Sequence, residues 1–327
     1  MGKPLSRPSL SPFKTGDVAA ARQAKRTNST ASSEGTHSLG SRKRRGNAFM
    51  RIVTRRGSRE HEEVVELGAP LEYVPVTDPQ ISYHNVTSAV VGTACAAPID
   101  MPKRVLDVGV SCPHWMLELA DELPESEIIG IDSQPMPRDT VLPGNCTFQI
   151  VSLRQNPHLP FPDSHFDYIR HRLLNVEIPV LVRQQYMNEC VRATASGGWV
   201  EFCQFVGAPD QTGEFVTTWQ TLFDTASRER LVPTYRMAHI SEMMAMAGLT
   251  DIQSQEFRLP AGDWAGPVGM FAWNCMRGGT IEMAPRVARV CEIPEETIYE
   301  LLPPLLQELN RTQGYISIMV YTGRKVY

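Results

Sequence analysis

The stretch Arg104 to Asp132, RVLDVGVSCPHWMLELADELPESEIIGID, constrains this chain most, because it reads as a complete β-turn-α-β unit ending in a carboxylate. Val105, Leu106 and Val108 form a short apolar run between Pro102 and Gly109, the signature of a strand buried on both faces of a parallel sheet. Trp115, Leu119 and Leu123 then recur at helical spacing, Pro113 suits the first helical position, and Pro124 ends the helix. Ile128, Ile129 and Ile131 make a second buried strand. Asp132 stands at its carboxyl end, where ligands of open α/β sheets bind.

This geometry suits recognition of a nucleoside. A tight turn after the first strand brings backbone amides and a helix N-terminus to the ligand, and a carboxylate after the second accepts hydrogen bonds from both ribose hydroxyls. Dinucleotide sites need a GxGxxG cradle for pyrophosphate, and here Gly109 is followed by Val110, Ser111, Cys112, Pro113 and His114. S-adenosylmethionine (SAM) carries no phosphate and tolerates a looser loop. The spacing of Asp107, Gly109 and Asp132 resembles motif I of the class I SAM-dependent methyltransferases more than a nicotinamide site.

The 327 residues are 42% hydrophobic, enough for a substantial core. No run approaches 18 consecutive apolar residues and the N-terminus has no apolar signal core, so the sequence predicts a soluble, unsecreted protein. Seven cysteines without a CxxC pair point to buried thiols in a reducing compartment. The net charge of −4 hides an asymmetry: residues 1–60 carry 14 Lys plus Arg against 3 Asp plus Glu, a net +11, leaving −15 for the remainder. Rich in Ser, Thr, Pro and Arg, that first part has too little apolar surface to offset the entropy of ordering, which predicts a disordered basic tail over 1–62 and a folded domain over 63–327. Arg42, Lys43, Arg44 and Arg45 form a cluster of the kind read by nuclear import, placing the protein in the nucleus or cytoplasm. Direct nucleic-acid binding is not expected, because no aromatics are interleaved with the charges.

Further strands are predicted at Phe148–Val151, through Phe166 and Ile169, at Trp199–Phe205, Ile252–Leu259 and Tyr315–Tyr321. Helices are predicted at 84–92, 180–193 with Ser196-Gly197-Gly198 as its stop, 210–230, 238–247, 264–277, 281–290 and 295–310. Alternation of strands and helices predicts an α/β, Rossmann-like, doubly wound seven-stranded sheet.

GGWVEF at 197–202, FPDSHFDYI at 161–169, Ala247-Gly248-Leu249 before a strand and YISIMVYTGRKV at 315–326 together resemble the fungal LaeA-like methyltransferases over about residues 70–326. The resemblance implies a SAM-dependent methyltransferase fold, with an archetype that is a nuclear regulator of secondary metabolism and development acting beside velvet proteins. It also implies that Asp107, Gly109 and Ser111 line the methionine end of SAM, Asp132 and Ser133 its ribose, and Ser152 and Leu153 its adenine. Two of the three glycines of the family's GxGxG are absent here, and Ser152 offers a hydroxyl where the family places a carboxylate.

Methyl transfer by displacement needs chiefly alignment and sometimes a base. His171, at the end of the fourth predicted strand, is the candidate base. No His, Asp or Glu group has metal-ligand spacing, and GxSxG is absent. The leading expectation is therefore a methyltransferase acting on a small molecule or protein. An inactive methyltransferase fold serving as a regulatory or binding module is the alternative, and a dinucleotide enzyme ranks last.

Overall fold

A computed structural model describes residues 49–56, 59–66, 84, 87, 95–99, 101–110, 112–154, 156–172, 178–206, 213–228 and 239–327. The cluster Arg42–Arg45, Ser111 and most of the expected helix 84–92 lie outside these residues.

In chain order the strands are β1 Phe49–Arg56, β2 Arg59–Glu66, β3 Arg104–Val108, β4 Glu127–Asp132, β5 Cys146–Ile150, β6 Phe166–Arg172, β7 Thr194–Val206, β8 Thr250–Pro260 and β9 Tyr315–Arg324. The helices are α1 His114–Glu122, α2 Arg183–Ala193, α3 Glu214–Arg228, α4 Ile240–Met246, α5 Gly266–Cys291 and α6 Glu295–Thr312. All nine strands form one sheet in the order β2-β1-β8-β9-β7-β6-β3-β4-β5. From β5 to β7 the neighbours are parallel, and β9 runs antiparallel to both β7 and β8. The chain winds outward from β3 through β4 to β5, then returns to the other side of β3 as β6, so the order reverses between β3 and β6. Ligands of open α/β sheets bind in the crevice at such a reversal, outside the carboxyl ends of the strands.

The alternation of side chains along the central strands sorts them onto two covered faces. Leu106, Val108, Ile129, Ile131, Ile169, Val200 and Phe202 pack with Tyr186 and Met187 of α2 and Met244 of α4. Val105, Ile128, Tyr168 and Trp199 face the other way, against Trp115, Met116 and Leu119 of α1. Cys203, Phe257, Leu259, Ile316, Ile318 and Val320 pack with residues of α3, α5 and α6 in a third cluster.

β3 to β9 make the expected doubly wound sheet of seven strands, and the β1–β2 hairpin adds two more along β8. Most of that hairpin falls inside the span 1–62 whose composition predicts disorder, and one compact unit of the chain is Asn47–Tyr327. Composition averaged over sixty residues hides two short segments, each with β-branched residues (Ile52, Val53 and Thr54; Val64 and Val65) that favour strands. Two further boundaries differ. The helices expected at 264–277 and 281–290 are one helix, α5, running through Gly278-Gly279 because Cys275, Thr280, Met283, Ala284 and Val287 bury a continuous stripe. The expected stop Ser196-Gly197-Gly198 lies within β7; α2 already ends at Ala193, where Thr194 donates its hydroxyl to the Cys190 carbonyl at 2.7 Å. Gly197, at φ +82°, sits where the β6–β7 register shifts.

Candidate active site

The carboxyl ends of β3 and β4 and the residues after β5 enclose a depression lined by Val108, Gly109, Ile131, Asp132, Ser133, Val151 and Leu153. Gly109 donates its amide to the Ile131 carbonyl at 2.9 Å and turns the chain at φ +74°. A Cβ there would take a left-handed backbone and come 3.3 Å from the Arg172 carbonyl oxygen, so this position requires glycine. Asp132 is held on both sides. Its Oδ1 accepts the Gln134 amide at 2.9 Å, and its carbonyl accepts the Val151 amide at 2.8 Å, tying the rim of the depression to the end of β5. The space is about 220 Å³ when the open solvent at its mouth is included, so the enclosed part is much smaller. It suits one end of a ligand, with a carboxylate at the rim and apolar walls at Val151 and Leu153.

His171 lies behind this depression. It is fully buried, its Nδ1 is 2.6 Å from the Tyr186 hydroxyl, and its Nε2 would be 3.7 Å from a Cβ on Gly109. Burial, reinforced by the nearby Arg183 charge, lowers its pKa to about 3. The imidazole is therefore neutral at physiological pH, and a base this weak removes a proton from an acceptor poorly. Its Nε2 has no hydrogen-bond partner among the described residues.

On the opposite face, beside α1, stands a buried charged cluster that sequence reasoning missed. Asp107 of β3 and Arg170 of β6 are direct register partners across the strand-order reversal. Arg170 donates its Nε to Glu201 Oε1 at 3.2 Å, and its guanidinium lies 4.1 Å from the centre of the Trp115 ring. Arg172 takes a place over the same ring at 5.5 Å. Glu201 also accepts the Tyr168 hydroxyl and, at 2.8 Å, the Ala96 amide, which pins the segment before β3 to the sheet. His84 places Nε2 3.0 Å from Glu118 Oε1 and stacks on His114. Burial raises the Asp107 carboxyl above the usual range, against the pull of Arg172 and Arg170. Burial works against the Arg170 charge as well, but Glu201 and Asp107 outweigh it and raise its pKa.

Of the residues expected at the cofactor, Gly109, Asp132, Ser133 and Leu153 are brought together here. Ser152 between them is exposed and outside the lining, Asp107 is buried on the α1 face, and Ser111 is outside the described residues. Val108, Ile131 and Val151 line the space without having been singled out, because an apolar wall looks like core in a sequence. The signal for the charged cluster was present in FDYIRHR, whose period-two alternation sets Arg170 and Arg172 on the same face of the strand as Tyr168. None of the seven cysteines forms a disulfide, no helix among the described residues is long and apolar enough to cross a membrane, and no group of metal-ligating side chains occurs among them.

A sheet with this strand order, reversing beside a glycine turn across from a carboxylate, is the doubly wound, Rossmann-like arrangement that the resemblance implies. In sequence the chain is similar to fungal methyltransferases. It is 24% identical over 261 residues to Methyltransferase cpsF of Aspergillus campestris, covering 70% of this chain and 88% of that protein. It is 29% identical over 110 residues to Methyltransferase str3 of Strobilurus tenacellus, covering 32% of this chain and 36% of the relative. It is 25% identical over 170 residues to the Secondary metabolism regulator LAE1 of Cochliobolus heterostrophus, covering 49% of this chain and 53% of that one. The chain thus spans less than half the length of str3, and 41% of the related str2. Among solved structures, Haemonchus contortus phosphoethanolamine N-methyltransferase 2 in complex with S-adenosyl-L-methionine is similar at a TM-score of 0.42 and 12% identity, covering 82% of this chain and 63% of that one. No protein-family model matches the chain.

Proposed function

We propose that the protein is a SAM-dependent methyltransferase. The observation that carries this reading is the left-handed Gly109 facing the fixed carboxylate of Asp132 across an apolar-walled depression. Asp132 suits the two ribose hydroxyls, and its bond from Gln134 holds the carboxylate in one orientation. Val151 and Leu153 give the adenine an apolar wall, and the missing side chain of Gly109 leaves room for the sulfur. SAM, when bound, supplies an electrophilic methyl group. The chain's own contribution is to bind, align and exclude water, since His171 is held neutral and weakly basic.

The finer reading is a LaeA-like regulator of secondary metabolism or development, with velvet-type partners and a nuclear location. It is supported by the similarity to LAE1 and by the basic cluster Arg42–Arg45. A second reading, a methyltransferase fold kept as a binding module, is favoured by the weak base and by Cys112-Pro113, where proline withholds an amide from the cofactor loop.

Calorimetric titration with SAM tests the proposal. A carboxylate accepting two hydroxyls contributes about 1.5–3 kcal/mol, so Asp132→Ala weakens SAM by roughly 10- to 150-fold and leaves the fold intact. A wild-type protein that does not bind SAM at millimolar concentration overturns the reading. Binding without methyl transfer to any fungal extract fraction favours the module.

A further inference from the structure

The depression is polar at one end and apolar at the other. Among the described residues that line it, the polar side chains are Asp132 and Ser133, adjacent in the chain at the end of β4, whereas the wall that follows β5 is made by Val151 and Leu153. The backbone of that wall is engaged as well, because the first amide after β5, that of Val151, donates to the Asp132 carbonyl at 2.8 Å. Ser152, with the hydroxyl nearest this wall in sequence, is exposed and outside the lining.

The rim on this side is open. Ile150 is 64% exposed, and Ser152 and Arg154 are exposed, so alternate residues from the end of β5 onward reach solvent while Val151 and Leu153 between them line the depression. This alternation has a chemical consequence. A purine lying on Val151 and Leu153 gains contact over the face of its ring, and that gain does not depend on which atom stands at the ring edge. Telling an amino from an oxo group requires a fixed donor or acceptor aimed at that edge, which rejects the wrong group because it is then left unpaired itself. The side chains of this wall hold no such group, and the Val151 amide is already bonded.

We propose that the base end of the site is read by apolar contact alone, so that the protein accepts purine nucleoside cofactors irrespective of the group at purine position 6, while Asp132 reads the ribose. The assignment rests on the cofactor reading above and makes Val151 and Leu153 the residues that set the breadth of cofactor choice. A substituent at position 6 runs out past Ile150 and Ser152 into solvent.

Calorimetry with three ligands tests this: S-adenosylhomocysteine, S-inosylhomocysteine, in which an oxo group replaces the 6-amino group, and S-adenosylhomocysteine with a benzyl group on the 6-amino nitrogen. None carries a transferable methyl group, so binding is read without turnover. Both altered ligands bind the wild-type protein within about tenfold of S-adenosylhomocysteine, the point at which the loss of one charge-assisted hydrogen bond begins. Val151→Ala weakens all three in parallel by about 3- to 15-fold, the contact of two methyl groups on a half-buried side chain. An altered ligand weaker than S-adenosylhomocysteine by more than about tenfold overturns the proposal and leaves the cofactor reading standing. A Val151→Ala loss that is absent, or confined to one ligand, does the same. Wild-type protein that binds none of the three overturns both.

Discussion

Glu201 offers the sharpest test of the buried cluster. The residue is 1% exposed and carries three interactions at once: Arg170 Nε at 3.2 Å, the Ala96 amide at 2.8 Å and the Tyr168 hydroxyl. Glu201→Ala removes all three and strands the Arg170 guanidinium in the interior. Breaking a buried pair by deleting one partner costs about 3–5 kcal/mol, chiefly because the remaining charge is uncompensated. The stacking of Arg170 on Trp115 survives the change and is worth about 1–2 kcal/mol, so it holds the loss within that range rather than above it. For a domain of this size the melting temperature falls by roughly 6–20 °C. Urea unfolding followed by far-ultraviolet circular dichroism measures the loss directly. Glu201→Gln keeps the acceptor oxygen and gives up the charge, so it loses less. A loss below about 1 kcal/mol for Glu201→Ala refutes the reasoning, because it means Arg170 finds Asp107 or water as soon as Glu201 is gone.

Gly109→Ala places a Cβ 3.3 Å from the Arg172 carbonyl in a left-handed conformation, and is expected to lose about 1–2 kcal/mol of stability and to weaken SAM; a neutral result means the turn relaxes freely. His171 has a folded pKa of about 3 against 6.5 unfolded, so its contribution to stability is complete above pH 6.5 and is lost as pH falls toward 3, with a slope of up to about 1.4 kcal/mol per pH unit. His84, also lowered to about 3, acts in the same direction, whereas Asp107, raised by burial, opposes it. The difference in urea stability between wild type and His171→Asn at pH 7.5 and 5 isolates the histidine, and an unchanged difference removes the claim. If Arg42–Arg45 drive import, a fluorescent fusion is nuclear and becomes diffuse when these four are replaced by Ala; an unaltered distribution ends that reading.

The parts of the fold that were legible are those where burial on both sides leaves a run of apolar residues. Val105, Leu106 and Val108, then Ile128, Ile129 and Ile131, announce β3 and β4, and the turn between them identifies the crevice. Asp132 was legible for the same reason, as a carboxylate ending such a run. Gly278-Gly279 misled because glycine is a punctuation mark only when nothing buries its neighbours, and here α5 is held by Cys275 and Met283 on either side. Arg51 and Arg55 counted as tail charge, whereas β1 pairs them with Val64 and Glu60, a register no local pattern reveals. The Asp107–Arg170 juxtaposition was illegible because the two residues are far apart in sequence and meet only through the reversal of strand order.

That reversal has a counterpart at the other side of the sheet. β9 follows β7 and β8 in the chain yet lies between them, bonded to β7 from Trp199–Arg324 to Val206–Ser317 and to β8 from Thr250–Arg324 to Pro260–Tyr315. During synthesis β7 and β8 leave the ribosome first and have no partner in common until β9 arrives. In that interval each shows an open strand edge, the kind of surface that invites pairing with another nascent chain. β9 therefore acts as a keystone: slow-translating codons ahead of it would prolong the interval in which the edges of β7 and β8 lie open.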